Sequence, residues 1–445
     1  VTVAIRSFLR ARPTLLFILV ALVIPNILFL GATLFGIGAP VRVTSIILYV
    51  MAAVLARHIP AALAAVIYLA LVAFDITNTV ALLFNLSPRD IMTALDFGLK
   101  VDFFDSPFYV LLAAGVAATT ALNIWLYLTQ RPALRQARLL PPLLLLVAFC
   151  LLDMALNATP HHQFRRILGA VAPFESAVRA SGFEAAALED PPRHRLIVMV
   201  ESLGLYESEA QRQVLMAPFR DPALAARYDI SSGNVTYFGS TKEGELRELC
   251  ASRAYFETYF EREDATCLPA RLAARGYDTQ AMHGFHARMF QRARWWPNVG
   301  FDRTLFLDDM PALRQCGGVW MGACDQAVAA LLHRNIRDAA RPTLFYWLTL
   351  NTHIPVVPDL HSKPFPCDES GPYGDSNVCH MTAMWYDIFA SVVAIAKDPA
   401  LAPLDILIVG DHAPPLWARR HREMFVAGQV PWIRLRPKPT GAGGT

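Results

Sequence analysis

Two hydropathy regimes divide the chain. Residues 1–160 are dominated by long apolar runs, at about 13–35, 43–57, 60–84, 107–128 and 139–158. Most approach the ~20 residues that a helix needs to cross a hydrocarbon core, so about five membrane spans are predicted. The second run is short, and Pro25 and Pro60 blur its boundaries. No A-x-A-like cleavage site follows the first run, which is therefore expected to persist as an anchor. Beyond residue 190 the pattern changes to short apolar runs between polar stretches. Arg195–Val200 (RLIVMV) and Leu404–Val409 (LDILIV) read as buried strands, with helix-like segments between them. That alternation predicts an α/β domain. The expected organisation is a transmembrane domain over 1–160, a linker over 161–190, an α/β domain over 191–438 and a Gly-rich flexible tail over 439–445.

Composition sharpens the division. The chain is 54% hydrophobic and 17% charged, against about a quarter charged in ordinary globular proteins. Residues 1–160 hold 10 Lys/Arg and 6 Asp/Glu, and the remaining 285 hold 30 and 31. A fully soluble protein, a disordered chain and a pure transporter are all disfavoured. A net charge of +3 without any Lys/Arg run gives no reason to expect a nucleic-acid partner.

The placement of positive charge predicts orientation. Arg6, Arg10 and Arg12 precede the first run, Arg57 follows the second, and Arg131, Arg135 and Arg138 separate the fourth and fifth. The alternate loops carry only Arg42, Arg89 and Lys100, beside Asp90, Asp96, Asp102 and Asp105. The arginine-rich side should face the cytoplasm, which puts the C-terminal domain outside it. Asp75 and Asp153 fall inside apolar runs, where a carboxylate is either functional or tied to a polar neighbour. For Asp75 the candidates one turn on are Asn78 and Thr79. Segment 86–106, with Phe97, Phe103 and Phe104 among charges, reads either as an interfacial amphipathic piece or as a plain loop. Six of the seven cysteines fall in the outer domain as Cys250/Cys267, Cys316/Cys324 and Cys367/Cys379. An even set in an exported domain predicts disulfides, with sequential pairing preferred, and an oxidising compartment.

Both predicted strands end at hard ligands: the first at Glu201-Ser202, the second at Gly410-Asp411-His412. In α/β sheets ligands bind beyond the carboxyl ends of strands, so the two ends can build one metal site. Between them, Ser240 and Glu243 form an S-x-x-E capping box that places Thr241 at a helix N-terminus, a favourable position for a phosphate or an alkoxide. A capped surface helix is the competing reading. His283 and His353 each follow a predicted strand and read as site histidines or as hydrogen-bonded core residues. His286, His361, His380 and His421 lack such placement. Trp295 and Trp296, in the Arg288–Trp296 stretch, suit either a headgroup layer or simple packing.

Taken in order, Glu201-Ser202, Thr241 in T-x-x-G-E, His283-Gly284, Asn351-Thr352-His353 and Gly410-Asp411-His412 resemble the alkaline phosphatase/sulfatase superfamily. The nearest likeness is to its membrane phosphoglycerol and phosphoethanolamine transferases, including lipoteichoic acid synthase, which also place five spans before an extracytoplasmic catalytic domain. The resemblance implies an alkaline-phosphatase-like α/β/α sandwich in the periplasm, anchored in a bacterial inner membrane. It implies Thr241 as nucleophile, with Glu201, Thr241, Asp411 and His412 holding one divalent metal, Zn²⁺ or Mn²⁺. It implies His283 and His353 holding the phosphoryl group or assisting proton transfer, and Arg292 contacting the headgroup. The partners implied are a membrane phospholipid donor and an envelope glycan or glycolipid acceptor. The alternatives are a sulfatase or phosphodiesterase-type hydrolase, or an inactive membrane-anchored binding module. Cys267-Leu268-Pro269-Ala270-Arg271 matches the C-x-P-x-R pattern of formylglycine sulfatases, but Ala270 replaces the usual Ser and Cys250 is a ready disulfide partner.

Overall fold

The computed structural model describes residues 8, 11–84, 86, 103–157, 175–358, 360, 365, 367, 373 and 376–439. Most of segment 86–106, His361 and residues 440–445 lie outside the described residues. The chain forms two compact units, one chiefly helical over the first 170 residues and one chiefly α/β from residue 171 onward.

The helical unit places helices at all five apolar runs. Pro13–Leu34, Ala61–Leu83, Pro107–Thr129 and Leu140–Asn157 are each long and apolar enough to cross a membrane, and Val43–Leu55 is a shorter apolar helix of 13 residues. The first is not a uniform helix. A π turn over Leu19–Val23 and a 3₁₀ turn over Ile24–Asn26 surround Pro25. Proline donates no hydrogen bond and crowds the preceding turn, and the altered windings absorb that defect.

The two acids predicted inside apolar runs converge on one arginine. Asp75, read as either a functional acid or one tied to Asn78 or Thr79, accepts from Arg42 through both carboxylate oxygens, at 3.1 Å from Nε and through a short contact from Nη2. Tyr49 donates to the same carboxylate at 3.1 Å, and Arg42 Nη1 donates to Asn26 at 3.0 Å. Asp153 accepts the Arg42 backbone N–H at 2.7 Å and the Asn157 side-chain amide at 2.9 Å. The local expectation failed because the charge that satisfies Asp75 sits 33 residues away, beyond any helical spacing.

The α/β unit is built on a seven-stranded sheet in the order β2-β9-β8-β1-β7-β3-β4. Its strands are β1 (Arg195–Val200), β2 (Tyr228–Thr236), β3 (Asp278–His283), β4 (Arg303–Leu305), β7 (Thr343–Leu348), β8 (Asp405–Gly410) and β9 (Gln429–Pro437). A two-residue hairpin, β5 (Gln315–Cys316) and β6 (Gly322–Ala323), stands apart. β8, β1, β7, β3 and β4 run parallel, and β9 and β2 close one side antiparallel. Every residue of β1, β7 and β8 is buried, which requires cover on both faces, as in the expected α/β sandwich.

Register levels the functional strand ends. Val200 pairs with Gly410, so Glu201 and Asp411 leave the sheet side by side. His283, at the end of β3, pairs with Leu348 at the end of the adjacent β7. Two short helices, Ala177–Ala180 and Phe183–Glu189, fall where a linker was expected, and Ala177, Val178 and Phe183 belong to the α/β core. The disulfides pair sequentially, Cys250–Cys267, Cys316–Cys324 and Cys367–Cys379, and Cys150 is free.

Candidate active site

The carboxyl edge of β1 and β8 carries a cluster of buried polar groups. Glu201, Asp411 and His412 each offer one ligand atom, and these atoms lie within 4.8 Å of one another. Glu201 is followed by Ser202, whose φ of +57° turns the chain sharply off β1. A non-glycine residue in that region costs energy that the surroundings must cover. Here the Ser202 N–H donates to Asp411 Oδ1 at 2.8 Å and its hydroxyl to Glu201 Oε1 at 2.9 Å. Ser202 thus bridges the two carboxylates.

Asp411 is fully buried, and its two oxygens differ. Oδ1 accepts the N–H groups of Ser202 and His412, at 2.8 and 2.6 Å. Oδ2 has no hydrogen-bond partner and lies 3.4 Å from His412 Nε2. Burial, with Glu201 beside it, raises the Asp411 pKa to about 7. For His412, burial works against protonation, but Asp411 and Glu201 outweigh it and hold the imidazole above its ordinary value. His412 Nδ1 donates to the Ala413 carbonyl at 3.0 Å, which leaves Nε2 as the nitrogen facing the carboxylates. An orphaned buried carboxylate oxygen, a second carboxylate and an imidazole nitrogen facing both form a donor set suited to one divalent cation.

Thr241 completes the cluster. It is the first residue of the helix Thr241–Cys250, and the predicted capping box is present, with Glu243 accepting the Ser240 N–H at 2.8 Å. Thr241 Oγ1 donates to Glu201 Oε2 at 3.1 Å and lies 3.4 Å from His412 Nε2. Gly244 allows the close approach: a Cβ there would stand 3.1 Å from the Asp411 Cα. One turn on, the buried Arg247 donates to the carbonyls of Gly410 at 2.8 Å and Asp411 at 3.2 Å, locking this helix to the end of β8. Sequence reasoning assigned Arg247 no part. Its i+3 spacing from Gly244, on the same helix face, is the signal that could have found it.

The two predicted histidines share a tautomer. His283 Nδ1 donates to the Leu348 carbonyl at 3.1 Å, and His353 Nδ1 to the Ile354 carbonyl at 2.9 Å. Carbonyls only accept, so Nε2 is the basic nitrogen in both. His283 Nε2 is buried without a partner. Burial, reinforced by the Arg292 cation, pushes the His283 pKa well below the usual imidazole range, and burial lowers His353 to about 4. The turn before His353 is tied to the end of β1: Thr349 Oγ1 accepts the Glu201 N–H at 2.9 Å, and Thr352 Oγ1 donates to the Glu201 carbonyl at 2.6 Å.

Arg292 is 1% exposed and already paired. Its Nε and Nη2 meet Glu245 Oε2 at 3.0 and 2.9 Å, and Glu245 also accepts from Trp296 at 3.0 Å and Tyr346 at 3.4 Å. Phe290 and Gln291, just before it, both have φ of +50°. Trp295 and Trp296, considered for a headgroup layer, are fully buried, with Trp296 stacked on Phe306 at 5.0 Å. They are core residues. Cys267 of the C-x-P-x-R pattern is fully buried and bonded to Cys250. His286 meets Asp308 at 3.3 Å, away from the cluster.

No curated protein matches the chain significantly. Among solved structures, similarity is found to the lipoteichoic acid synthase LtaP from Listeria monocytogenes, at 15% identity and TM-score 0.43 over 55% of this chain and 65% of that one. The phosphoglycerol transferase GacH of Streptococcus pyogenes in complex with sn-glycerol-1-phosphate is similar at 15% identity and TM-score 0.40, over 57% and 72%. The zinc complex of the C-terminal periplasmic domain of EcEptC from Escherichia coli is similar at 15% identity and TM-score 0.38, over 56% and 74%. This chain thus spans just under two thirds of the LtaP structure's length. Residues 250–421 match the sulfatase family. The matched residues include His283, His353, Asp411 and His412.

Proposed function

We propose that the α/β unit is a headgroup transferase acting outside the cytoplasm, on a protein anchored in the bacterial inner membrane by its apolar helices. The observation that carries this reading is the Thr241 hydroxyl, set at a helix N-terminus, within hydrogen-bond reach of Glu201 and 3.4 Å from His412 Nε2, which itself stands 3.4 Å from the orphaned oxygen of Asp411. Glu201, Thr241, Asp411 and His412 would hold one divalent ion, Zn²⁺ or Mn²⁺. Such an ion, when bound, lowers the pKa of a coordinated hydroxyl and offsets charge on phosphoryl oxygens.

In the first half-reaction Thr241 Oγ1 forms a bond to the headgroup phosphorus of a phospholipid. The bond from phosphorus to the diacylglycerol oxygen breaks, and that oxygen leaves with a proton as diacylglycerol. In the second, the hydroxyl of an envelope glycan or glycolipid loses its proton, attacks phosphorus and returns Thr241 to its free form. His353 and His283 are neutral at pH 7 with basic Nε2 atoms, the state needed to take or pass those protons. The helix N-terminus stabilises negative charge on the phosphoryl oxygens. Arg292, held by Glu245, contributes its field beside His283. Phosphoglycerol is favoured over phosphoethanolamine on the resemblance of the Glu201-Ser202 pair to the lipoteichoic acid synthase branch; Arg292, expected to contact the headgroup, is instead buried against Glu245. Formylglycine chemistry finds no free thiol at Cys267.

The test uses the full chain in detergent with labelled phosphatidylglycerol and, separately, phosphatidylethanolamine. Diacylglycerol release from one of them is expected, and Thr241→Ala should lower it at least ~1000-fold. Full release by Thr241→Ala would end the proposal.

A further inference from the structure

The hairpin between Cys316 and Cys324 has no part in the chemistry above, yet both of its flanks reach the turn that carries His353. We propose that this disulfide-closed hairpin positions His353, with Trp320 fixing the imidazole and Asp325 fixing the backbone that bears it. The proposal rests on the catalytic reading of His353 given above.

Trp320 lies inside the loop. Its ring centroid stands 4.1 Å from that of His353, tilted by 45°. Trp320 Nε1 donates to the Ile354 carbonyl at 2.9 Å, the same oxygen that accepts from His353 Nδ1 at 2.9 Å. A carbonyl has two lone pairs, and here both are taken by the rings that touch each other. The arrangement restrains imidazole rotation and keeps the proton on Nδ1, so that Nε2 is the basic atom. On its other side Trp320 meets the buried Phe285 edge-on at 5.9 Å, which keeps the indole from swinging away.

Asp325 immediately follows Cys324 and opens the helix Asp325–Asp338. It is 5% exposed. Its carboxylate accepts the Leu350 N–H at 3.0 Å and the Asn351 N–H at 2.8 Å, and the Asn351 side-chain oxygen accepts the Asp325 N–H at 2.7 Å. This reciprocal clasp grips one flank of the turn, while Thr349 and Thr352 tie it to Glu201 on the other. A buried carboxylate is a costly way to hold two N–H groups if packing alone were required. What the clasp achieves is a fixed height of residues 350–353 above the strand ends, where an error of about 1 Å costs on the order of 100-fold in rate.

Trp320→Ala, Trp320→Phe and Asp325→Asn are compared in the full chain, each with and without His353→Ala. The readout is diacylglycerol release from whichever of the two labelled lipids is turned over. Trp320→Ala and Asp325→Asn should each lower kcat about 10- to 100-fold with KM for the lipid nearly unchanged, while Trp320→Phe, which keeps the ring contact, should recover most of the loss. In the His353→Ala background the same changes should add less than about 3-fold, because they act through that residue. Independently of turnover, diethyl pyrocarbonate should modify His353 faster in Trp320→Ala than in the parent, as followed by peptide mass spectrometry. Equal losses in both backgrounds, or unchanged kcat and modification rate, would overturn the positioning role alone. Full activity of His353→Ala would instead remove the catalytic reading of His353, and the inference with it.

Discussion

Two buried aspartates, one in each unit, are treated in opposite ways. In the helical unit both oxygens of Asp75 are met by Arg42, with Tyr49 donating as well. In the α/β unit, Asp411 is also fully buried, but Oδ2 takes no hydrogen bond and the nearest group able to carry positive charge is His412. A buried charge that is fully matched holds a structure together. One left unmatched beside a second carboxylate holds a place for something else. The same residue type is thus fully matched in one case and left with an open oxygen in the other, and the hydrogen-bond inventory tells them apart where burial does not.

Neutralising each acid in turn is the strongest way to break this comparison. Asp411→Asn should reduce diacylglycerol release more than ~1000-fold and abolish tight Mn²⁺ binding measured by calorimetry, because a ligand charge is lost. The metal-free protein should melt no lower than the parent. The amide oxygen can still accept from Ser202 and His412, and its NH₂ group would face Glu201 and His412 in place of a repelling oxygen. A drop of several degrees in the metal-free melting temperature would mean that Asp411 is structural after all.

Asp75→Asn should do the reverse. It leaves Arg42 buried with its main counter-charge gone, an error that costs about 3–5 kcal/mol. Thermal unfolding in detergent should shift down by roughly 2–4 °C per kcal/mol. Metal affinity of the α/β site should stay within about 2-fold of the parent, since the residue contributes nothing to the ligand set. Unchanged melting would show that the Arg42 cluster is dispensable and that the contrast between the two units is false.

How far these placements could be read from sequence depends on the distance over which each acid finds its partner. Glu201 and Asp411 were legible because each ends a short β-branched run, and parallel strands of similar length bring such ends level. Thr241 was legible from its capping box, a signal contained in four residues. The partner of Asp75 was not found because sequence offers only neighbours one helical turn away, such as Asn78 and Thr79, while Arg42 comes from another segment. Asp325, Thr349 and Thr352 were missed for the same reason: their hydrogen bonds join loops that only the sheet register brings together. Composition fails in a different way. Asn377–Lys397 is long and apolar enough to cross a membrane, yet 72% of its most apolar stretch is buried inside the described protein. Trp295 and Trp296 likewise suit an interface by type and are core by position. Residue type reports an affinity for apolar surroundings without saying which surroundings supply them.

The smallest expected effect follows from the protons that the unmatched site binds when no metal is present. The folded pKa of Asp411 is raised to about 7, above the ~3.9 of an unfolded aspartate. Between those values the folded metal-free protein binds more protons than the unfolded chain, so this contribution to stability is largest at low pH and declines as pH rises toward 7. His412, whose pKa is also held above its ordinary value, acts in the same direction at somewhat higher pH. Metal binding has the opposite dependence, because the carboxylate must shed its proton to become a ligand. Mn²⁺ should therefore raise the melting temperature more at pH 8 than at pH 5.5, by a few degrees (about 2–4 °C for each kcal/mol of linkage). A stabilisation by Mn²⁺ that is equal at both pH values in the parent would show that the buried carboxylate is already ionised, and that its orphaned oxygen is satisfied without a metal.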